Sequence, residues 1–302
     1  MGKISIIGVG AIGGITTALL ETTGRHELTL CTRRPMQELI VRTAEGVIAP
    51  KAKNLTDPAG AAATDPAGAA ANEPVDWVFV ATKVYDAGSA AAWFPRLCRP
   101  DTPIAILQNG VEHVENFQAF ARKEMILPVI VDCPAERQAD GSVIQRGVAR
   151  MQVGNNPLGA RFAELFRGSN VAVTLEDDFL SAAWKKLCLN AAGAVSALLM
   201  KPAGVLQDEA LGQIVLEIIA ECMAVGRAEG ARLDAGLGPQ ILARFRSAPP
   251  DSINSILADR LAGRPMEIDA RNGVIVRKGN RHGIGTPVNK MMVALLNGVG
   301  AG

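Results

Sequence analysis

Lys3-Ile4-Ser5-Ile6-Ile7, followed at once by Gly8-Val9-Gly10-Ala11-Ile12-Gly13, decides the reading of this chain. The first five residues have the apolar composition of a short buried strand. The G-x-G-x-x-G string then closes that strand and opens a helical stretch running from Gly13 to about Thr22. In that context Gly8 permits a tight turn, Gly10 lets the backbone approach a pyrophosphate, and Gly13 lets the helix lie close on the strand. Gly8, Val9, Gly10, Ala11, Ile12 and Gly13 are therefore assigned to a dinucleotide-binding turn. A ligand-free glycine turn would need none of this strand, spacing and helix together.

Working outward, Glu27 to Cys31, Trp77 to Ala81, Ile104 to Leu107 and Met125 to Val131 read as short strands buried on both faces and separated by helices, the pattern of a parallel sheet. After Val171-Ala172-Val173-Thr174 the character changes. Helical periodicity marks Asp178 to Met200, Asp208 to Ala228, Gly238 to Arg246, Asp251 to Ala262, Glu267 to His282 and Val288 to Asn297. The predicted fold class is α/β: an N-terminal Rossmann-type doubly wound parallel sheet over residues 1–176, binding a dinucleotide, and a C-terminal all-helical substrate and catalytic domain over 177–302. Substrate is expected in the cleft between them. The near-duplicate Asp57 to Thr64 and Asp65 to Asn72 reads as low-complexity padding around a surface turn and helix.

Composition excludes several classes of function. The 302 residues carry a net charge of +1 with no block of Lys or Arg, so neither nucleic acid nor an anionic membrane is expected as a partner. Five scattered cysteines without C-x-x-C spacing argue against a disulfide framework or a zinc site and for a reducing compartment. The three histidines, His26, His113 and His282, lie far apart, so no metal is expected. His113 reads as a capping or surface residue, and Tyr85 as an amphipathic boundary residue. The first strand begins at residue 3 without a charged leader, and Leu187 to Met200 is too short to cross a bilayer, so a cytoplasmic location is expected.

The corner after the second strand indicates the cofactor. An acidic residue there would bind the ribose hydroxyls and repel a 2′-phosphate. The chain instead has Cys31-Thr32-Arg33-Arg34, two guanidinium groups suited to that phosphate, so NADP is expected.

Four further segments place polar groups where chemistry would use them. Thr82-Lys83 and Gln108-Asn109-Gly110 each follow a strand directly, at the carboxyl ends where open parallel sheets bind ligands. Lys186 and Asn190 lie four apart, on one helix face, between apolar neighbours. Desolvation penalises the charged form of a lysine so placed, which suits the proton donor that ketone reduction requires. Lys185 points about a third of a turn away, into solvent. The last segment, Asp251 to Arg260 and on to Gly273, opens on a helix start at Ser252 to Ser255 and has an acidic turn at Glu267 to Asp269.

Taken in order, these segments resemble the ketopantoate reductase family over essentially the whole chain. The resemblance rests on the glycine fingerprint, Thr82-Lys83, Asn109-Gly110, Trp184-Lys185-Lys186-Leu187-Cys188-Leu189-Asn190, Ile253-Asn254-Ser255-Ile256-Leu257-Ala258-Asp259, Glu267-Ile268-Asp269-Ala270-Arg271-Asn272-Gly273 and His282-Gly283-Ile284-Gly285-Thr286-Pro287. It implies NADPH-dependent reduction of a small branched 2-oxo acid, foremost ketopantoate, with Lys186 as proton donor and Asn109, Asn190, Asn254 and Ser255 around the substrate. It also implies Lys83, Asn109 and Arg33 at the cofactor, Arg33 on its 2′-phosphate, and Glu267 reaching its ribose.

One departure bears on the substrate. The family continues the lysine helix with N-P and then P-N-G, whose asparagines contact substrate, whereas this chain reads Gly193-Ala194-Val195-Ser196 and Lys201-Pro202-Ala203-Gly204. Two other functions compete. A β-hydroxyacid-type reductase acting on a different substrate is disfavoured because Phe179 to Trp184 replaces the glycines expected before its lysine, and a catalytically silent NADPH-binding regulator is disfavoured by the intact Lys186, Asn190 and Glu267. The apolar stretch Ile214 to Ile219 could supply a homodimer face.

Overall fold

The structure, a computed structural model, describes residues 2–59 and 74–300. The surface turn and helix expected within the 57–72 duplication fall for the most part outside the described residues. The chain divides into two compact units, Met1–Gln108 with Glu112–Phe179, and Asn109–Val111 with Leu180–Gly302.

The first unit runs β1 (Gly2–Ile7), α1 (Ala11–Glu21), β2 (His26–Cys31), β3 (Val41–Thr43), β4 (Gly46–Ile48), β5 (Ala52–Leu55), β6 (Trp77–Val80), α2 (Ala87–Ala91) and α3 (Phe94–Leu97). It continues with β7 (Ile104–Ile106), α4 (His113–Phe117), β8 (Ile126–Pro128), β9 (Ile130–Asp132), β10 (Ala135–Arg137), β11 (Val143–Gln145), β12 (Ala149–Gly154), α5 (Pro157–Leu165) and β13 (Val171–Glu176). Its main sheet is ordered β5-β2-β1-β6-β7-β8. Every pair in it is parallel. The chain winds outward from β1 to β2 and β5, then returns to the other side of β1 through β6, β7 and β8, so the order reverses between β1 and β6. Loops leaving a doubly wound sheet at such a point diverge and open a ligand crevice. Side chains of β6 alternate between the two faces: Trp77 and Phe79 enter one apolar cluster, Val78 and Val80 the other. Helices cover both faces, which explains why these strands read as continuous apolar runs.

The single strand expected over Met125 to Val131 is two strands. Pro128 ends β8 at the sheet edge, where the amide it lacks is not needed, and after Val129 the chain enters β9, which pairs antiparallel with β12 in a second sheet.

The second unit is helical: α6 (Phe179–Ala192), α7 (Ala194–Leu199), α8 (Glu209–Ala228), α9 (Leu237–Ser247), α10 (Ser255–Leu261), α11 (Val274–Arg281) and α12 (Pro287–Gly300). The helix expected from Asp178 to Met200 is thus divided at Gly193, whose amide bonds back only three residues to Asn190. The start expected at Asp251 moves to Ser255, because the Asn254 side chain accepts from the Leu257 amide and caps the helix there. A π-helical turn, Asp269–Gly273, precedes α11. Trp184, Leu187, Cys188 and Ala191 of α6 pack with Val215, Ile218, Ile219 and Cys222 of α8 and with Val274 and Ile275 of α11. Val215, Ile218 and Ile219 are fully buried in this core, whereas Ile214 and Leu216 of the same stretch are only partly buried. Among the described residues no helix is long and apolar enough to cross a membrane, and none of the five cysteines forms a disulfide.

Lys278, almost fully buried, donates to Glu229 at 2.6 Å, and His282 lies 2.5 Å from the other oxygen of the same carboxylate. Burial alone would raise the Glu229 carboxyl, but the hydrogen bonds and charges of Lys278 and His282 outweigh it and hold the group below its ordinary 4.5. A carboxylate whose folded value is depressed stabilises the fold fully above its unfolded value and loses that contribution as pH falls through the folded one. The melting-temperature difference between wild type and Glu229→Gln should accordingly be largest near neutrality and shrink toward zero as pH is lowered below about 4.5.

Candidate active site

The glycine turn has the sterics that close contact with a phosphate requires. Gly8 has φ +92°, and a Cβ there would meet the Thr82 backbone nitrogen at 2.8 Å. A Cβ on Gly13 would lie 2.0 Å from the Gly8 carbonyl oxygen, whereas one on Gly10 would face open space. Helix α1 begins with Gly10 as its N-cap, without a side-chain cap and without an acidic residue in its first turn. Its leading amides are therefore not taken by a capping side chain and carry the positive end of the helix dipole, a fit for a dinucleotide pyrophosphate. Arg137 donates to the Val9 carbonyl at 2.5 Å, a support that no sequence signal indicated.

Arg33 stands at the corner after β2, where it is 81% exposed and pairs with Asp86 at 2.7 Å. Such an exposed pair is worth only about 0–1 kcal/mol, a small barrier to exchange for a phosphate. The corner itself is fixed by Asn54 of β5, which donates to the Leu30 carbonyl at 3.1 Å and the Thr32 hydroxyl at 2.8 Å and accepts from the Met36 amide at 3.1 Å. Lys83 follows β6 and is partly buried. Its carbonyl and the Thr82 hydroxyl both accept from Gln108, at 3.1 and 3.0 Å. His113 is buried rather than at the surface, with Nε2 2.8 Å from the Gln108 carbonyl. Burial lowers its pKa more than that contact and the charge of Glu115 raise it, so the ring is neutral at pH 7.

In the second unit three of the other expected residues, Asn190, Asn109 and Glu267, form one hydrogen-bonded chain. Lys186, partly buried, and Asn190 share a face of α6. Asn190 donates to the Asn109 side-chain oxygen at 3.3 Å, and Asn109 donates to Glu267 at 2.9 Å. Glu267 is only 4% exposed, which requires compensation for its charge. Part of that compensation comes from Arg271, 2% exposed, whose charge lies close to both Glu267 and Asp259. Burial lowers the guanidinium pKa from its ordinary value, and the two carboxylates oppose that shift. Arg271 also donates to Ser255 at 2.8 Å, and Ser255 is exposed. Arg271 has no role assigned from sequence; the available signal is a cation with Ile268, Ala270, Val274 and Ile275 nearby at helical spacing.

The two segments lacking asparagines are closely packed. Asn254 donates to the Gly193 carbonyl at 3.2 Å, and a Cβ on Gly193 would lie 2.9 Å from that amide nitrogen. The Ala203 and Gly204 amides bond the Ser252 and Pro250 carbonyls at 2.9 Å, and a Cβ on Gly204 would lie 3.0 Å from the Pro250 oxygen. Among the described residues no group of three or more His, Cys, Asp or Glu could hold a metal ion.

A Gly13→Ala substitution puts a methyl group against the Gly8 carbonyl. It should destabilise the first unit by about 1–3 kcal/mol, the usual cost of overpacking. Thermal melting should register this, together with weakened NADPH binding by nucleotide fluorescence, while Gly10→Ala should melt like wild type.

Two family models match the chain, Ketopantoate reductase PanE/ApbA over residues 4–157 and Ketopantoate reductase PanE/ApbA C terminal over 178–300. A 2-dehydropantoate 2-reductase of Caulobacter vibrioides is 47% identical, covering 98% of this chain and 99% of its own. One from Mycobacterium tuberculosis is 38% identical, over 97% of this chain and 96% of its own. The crystal structure of a PanE/ApbA family ketopantoate reductase from Ralstonia eutropha superposes with a TM-score of 0.86 at 29% identity, covering 99% of this chain and 98% of that one. With both halves matched and relatives this similar along nearly its full length, the chain belongs to the ketopantoate reductase family of oxidoreductases.

Proposed function

We propose that the protein catalyses the NADPH-dependent reduction of 2-dehydropantoate, or a closely related branched 2-oxo acid, to the 2-hydroxy acid. The observation that carries this reading is the convergence of Asn190, Asn109 and Glu267 in one hydrogen-bonded chain, with Lys186 one helical turn before Asn190. The names of the most similar relatives support the choice of substrate.

Residues 1–176 hold the dinucleotide and residues 177–302 bind substrate and perform the proton chemistry. Gly8 to Gly13 receive the pyrophosphate, Lys83 lies along the cofactor, and Arg33 exchanges Asp86 for the 2′-phosphate. The chemistry that NADPH would supply when held by these residues is a hydride for the carbonyl carbon. The Lys186 ammonium donates a proton to the carbonyl oxygen as charge develops there, so that the hydroxy acid leaves and the lysine is reprotonated from water. Asn190 and Asn109 orient the carbonyl, Asn254 and Ser255 bind the remaining substrate oxygens, and Glu267 meets the cofactor ribose while holding Asn109 in place.

The test is steady-state NADPH oxidation with a panel of branched 2-oxo acids. Wild type should turn over ketopantoate, and Lys186→Ala should lower kcat by about 10²- to 10⁴-fold while still binding NADPH. Turnover of no 2-oxo acid by wild type, or an undiminished rate in Lys186→Ala, contradicts the reading. Arg33→Ala should raise the KM for NADPH about tenfold or more and leave that for NADH little changed.

A further inference from the structure

The stretch Thr32-Arg33-Arg34 puts no carboxylate at the corner after β2, yet the fold brings one there from another element. Asp86 ends the short turn Val84–Asp86, which follows Lys83 beyond the end of β6. β1 stands between β2 and β6, and all three strands run parallel. The Arg33–Asp86 contact of 2.7 Å therefore passes across the carboxyl end of β1, where the glycine turn begins.

The two partners are unequal. The Arg33 side chain keeps 81% of its exposure, whereas that of Asp86 keeps 18%, so the carboxylate is the fixed member and the guanidinium the one free to turn. Asp86 caps no helix amide with its side chain, and among the described residues Arg33 is the only cation paired with it.

Two chemistries meet at this corner. In dinucleotide folds a carboxylate so placed accepts from the ribose 2′-hydroxyl of NADH, and a guanidinium takes the 2′-phosphate of NADPH. A fixed carboxylate works against the phosphate in two ways. It occupies a guanidinium N–H that the phosphate needs, and its like charge stands close to the place where Arg33 would hold the phosphate. Toward a hydroxyl it does neither, and it supplies an acceptor.

We propose that Asp86 is a specificity-determining residue that restrains the preference for NADPH and keeps NADH usable, so that the choice of cofactor is set by the Arg33–Asp86 pair and not by the arginines alone. This rests on the dinucleotide-dependent reductase reading of the site. The opposite role is positional, with Asp86 holding Arg33 ready for the phosphate. The two roles predict changes of opposite sign.

Dissociation constants would be measured for NADPH and NADH by nucleotide fluorescence, and for adenosine 2′-monophosphate by calorimetry, on wild type, Asp86→Asn and Arg33→Ala. Asparagine keeps the size of aspartate without its charge. In Asp86→Asn the Kd for NADPH and that for the 2′-monophosphate should each fall about three- to tenfold, and that for NADH should stay level or rise. The NADPH-to-NADH ratio of kcat/KM should grow by at least the same factor, while Arg33→Ala should move the preference the other way. An exposed pair contributes little to the fold, so both variants should melt close to wild type. Should Asp86→Asn not fold, Asp86→Ser carries the same expectation. A raised Kd for NADPH on loss of the carboxylate, or an unchanged preference between the two dinucleotides, overturns the proposal. Wild type that binds neither dinucleotide defeats the functional reading and this inference with it, whereas wild type that binds both, with a preference insensitive to Asp86, defeats only the inference.

Discussion

A carboxylate almost entirely removed from water, Glu267, sets the terms for the helical unit. An unpaired buried charge costs several kcal/mol, so a sequence that keeps one must surround it with donors. Asn109 supplies one at 2.9 Å, and the charge of Arg271 lies beside it. Each of these in turn is held: Asn109 by Asn190, Arg271 by Ser255. Asn109, which the proposed function sets beside the substrate, thus also keeps Glu267 satisfied, and its hydrogen bonds define its position. Such preorganisation is how a site directs its dipoles at a developing charge without reorganising during reaction.

The sheet unit works under a different constraint, close backbone approach. At Gly8 and Gly13 no side chain fits, because the loops after β1 and β6 and the start of α1 touch through backbone atoms. Gly10 has space above it. The turn therefore combines two fixed positions with one open one, the layout that admits a phosphate to the end of a helix. Asn54 performs a comparable task at the Arg33 corner, tying three backbone segments so that two charged side chains project from a rigid base.

Much of this was legible in residue order. The glycine turn, the parallel sheet and the helical second half followed from apolar runs and spacing, because buried parallel strands and amphipathic helices leave strong periodic signals. Local breaks left weaker ones. Pro128 parts β8 from β9 within a run whose apolar character is unbroken, and at Gly193, where the Lys186 helix divides, the carbonyl also accepts an amide of Asn254 from a distant part of the chain. Arg271 and Asn54 escaped notice for a related reason. Neither type of residue is unusual locally, and what gives each its role is burial and partners contributed by other elements, which no single stretch of sequence contains.

The proposed function turns on the chain Asn190, Asn109 and Glu267 with Lys186 one helical turn before Asn190. A crystal structure with dinucleotide and a 2-oxo acid bound examines this most directly. The ketone oxygen should lie within about 3 Å of Lys186 Nζ, with substrate oxygens also within hydrogen-bond reach of Asn190 and Ser255. A ligand whose ketone lies beyond hydrogen-bond reach of Lys186, or whose oxygens lie away from Asn190 and Ser255, would contradict it.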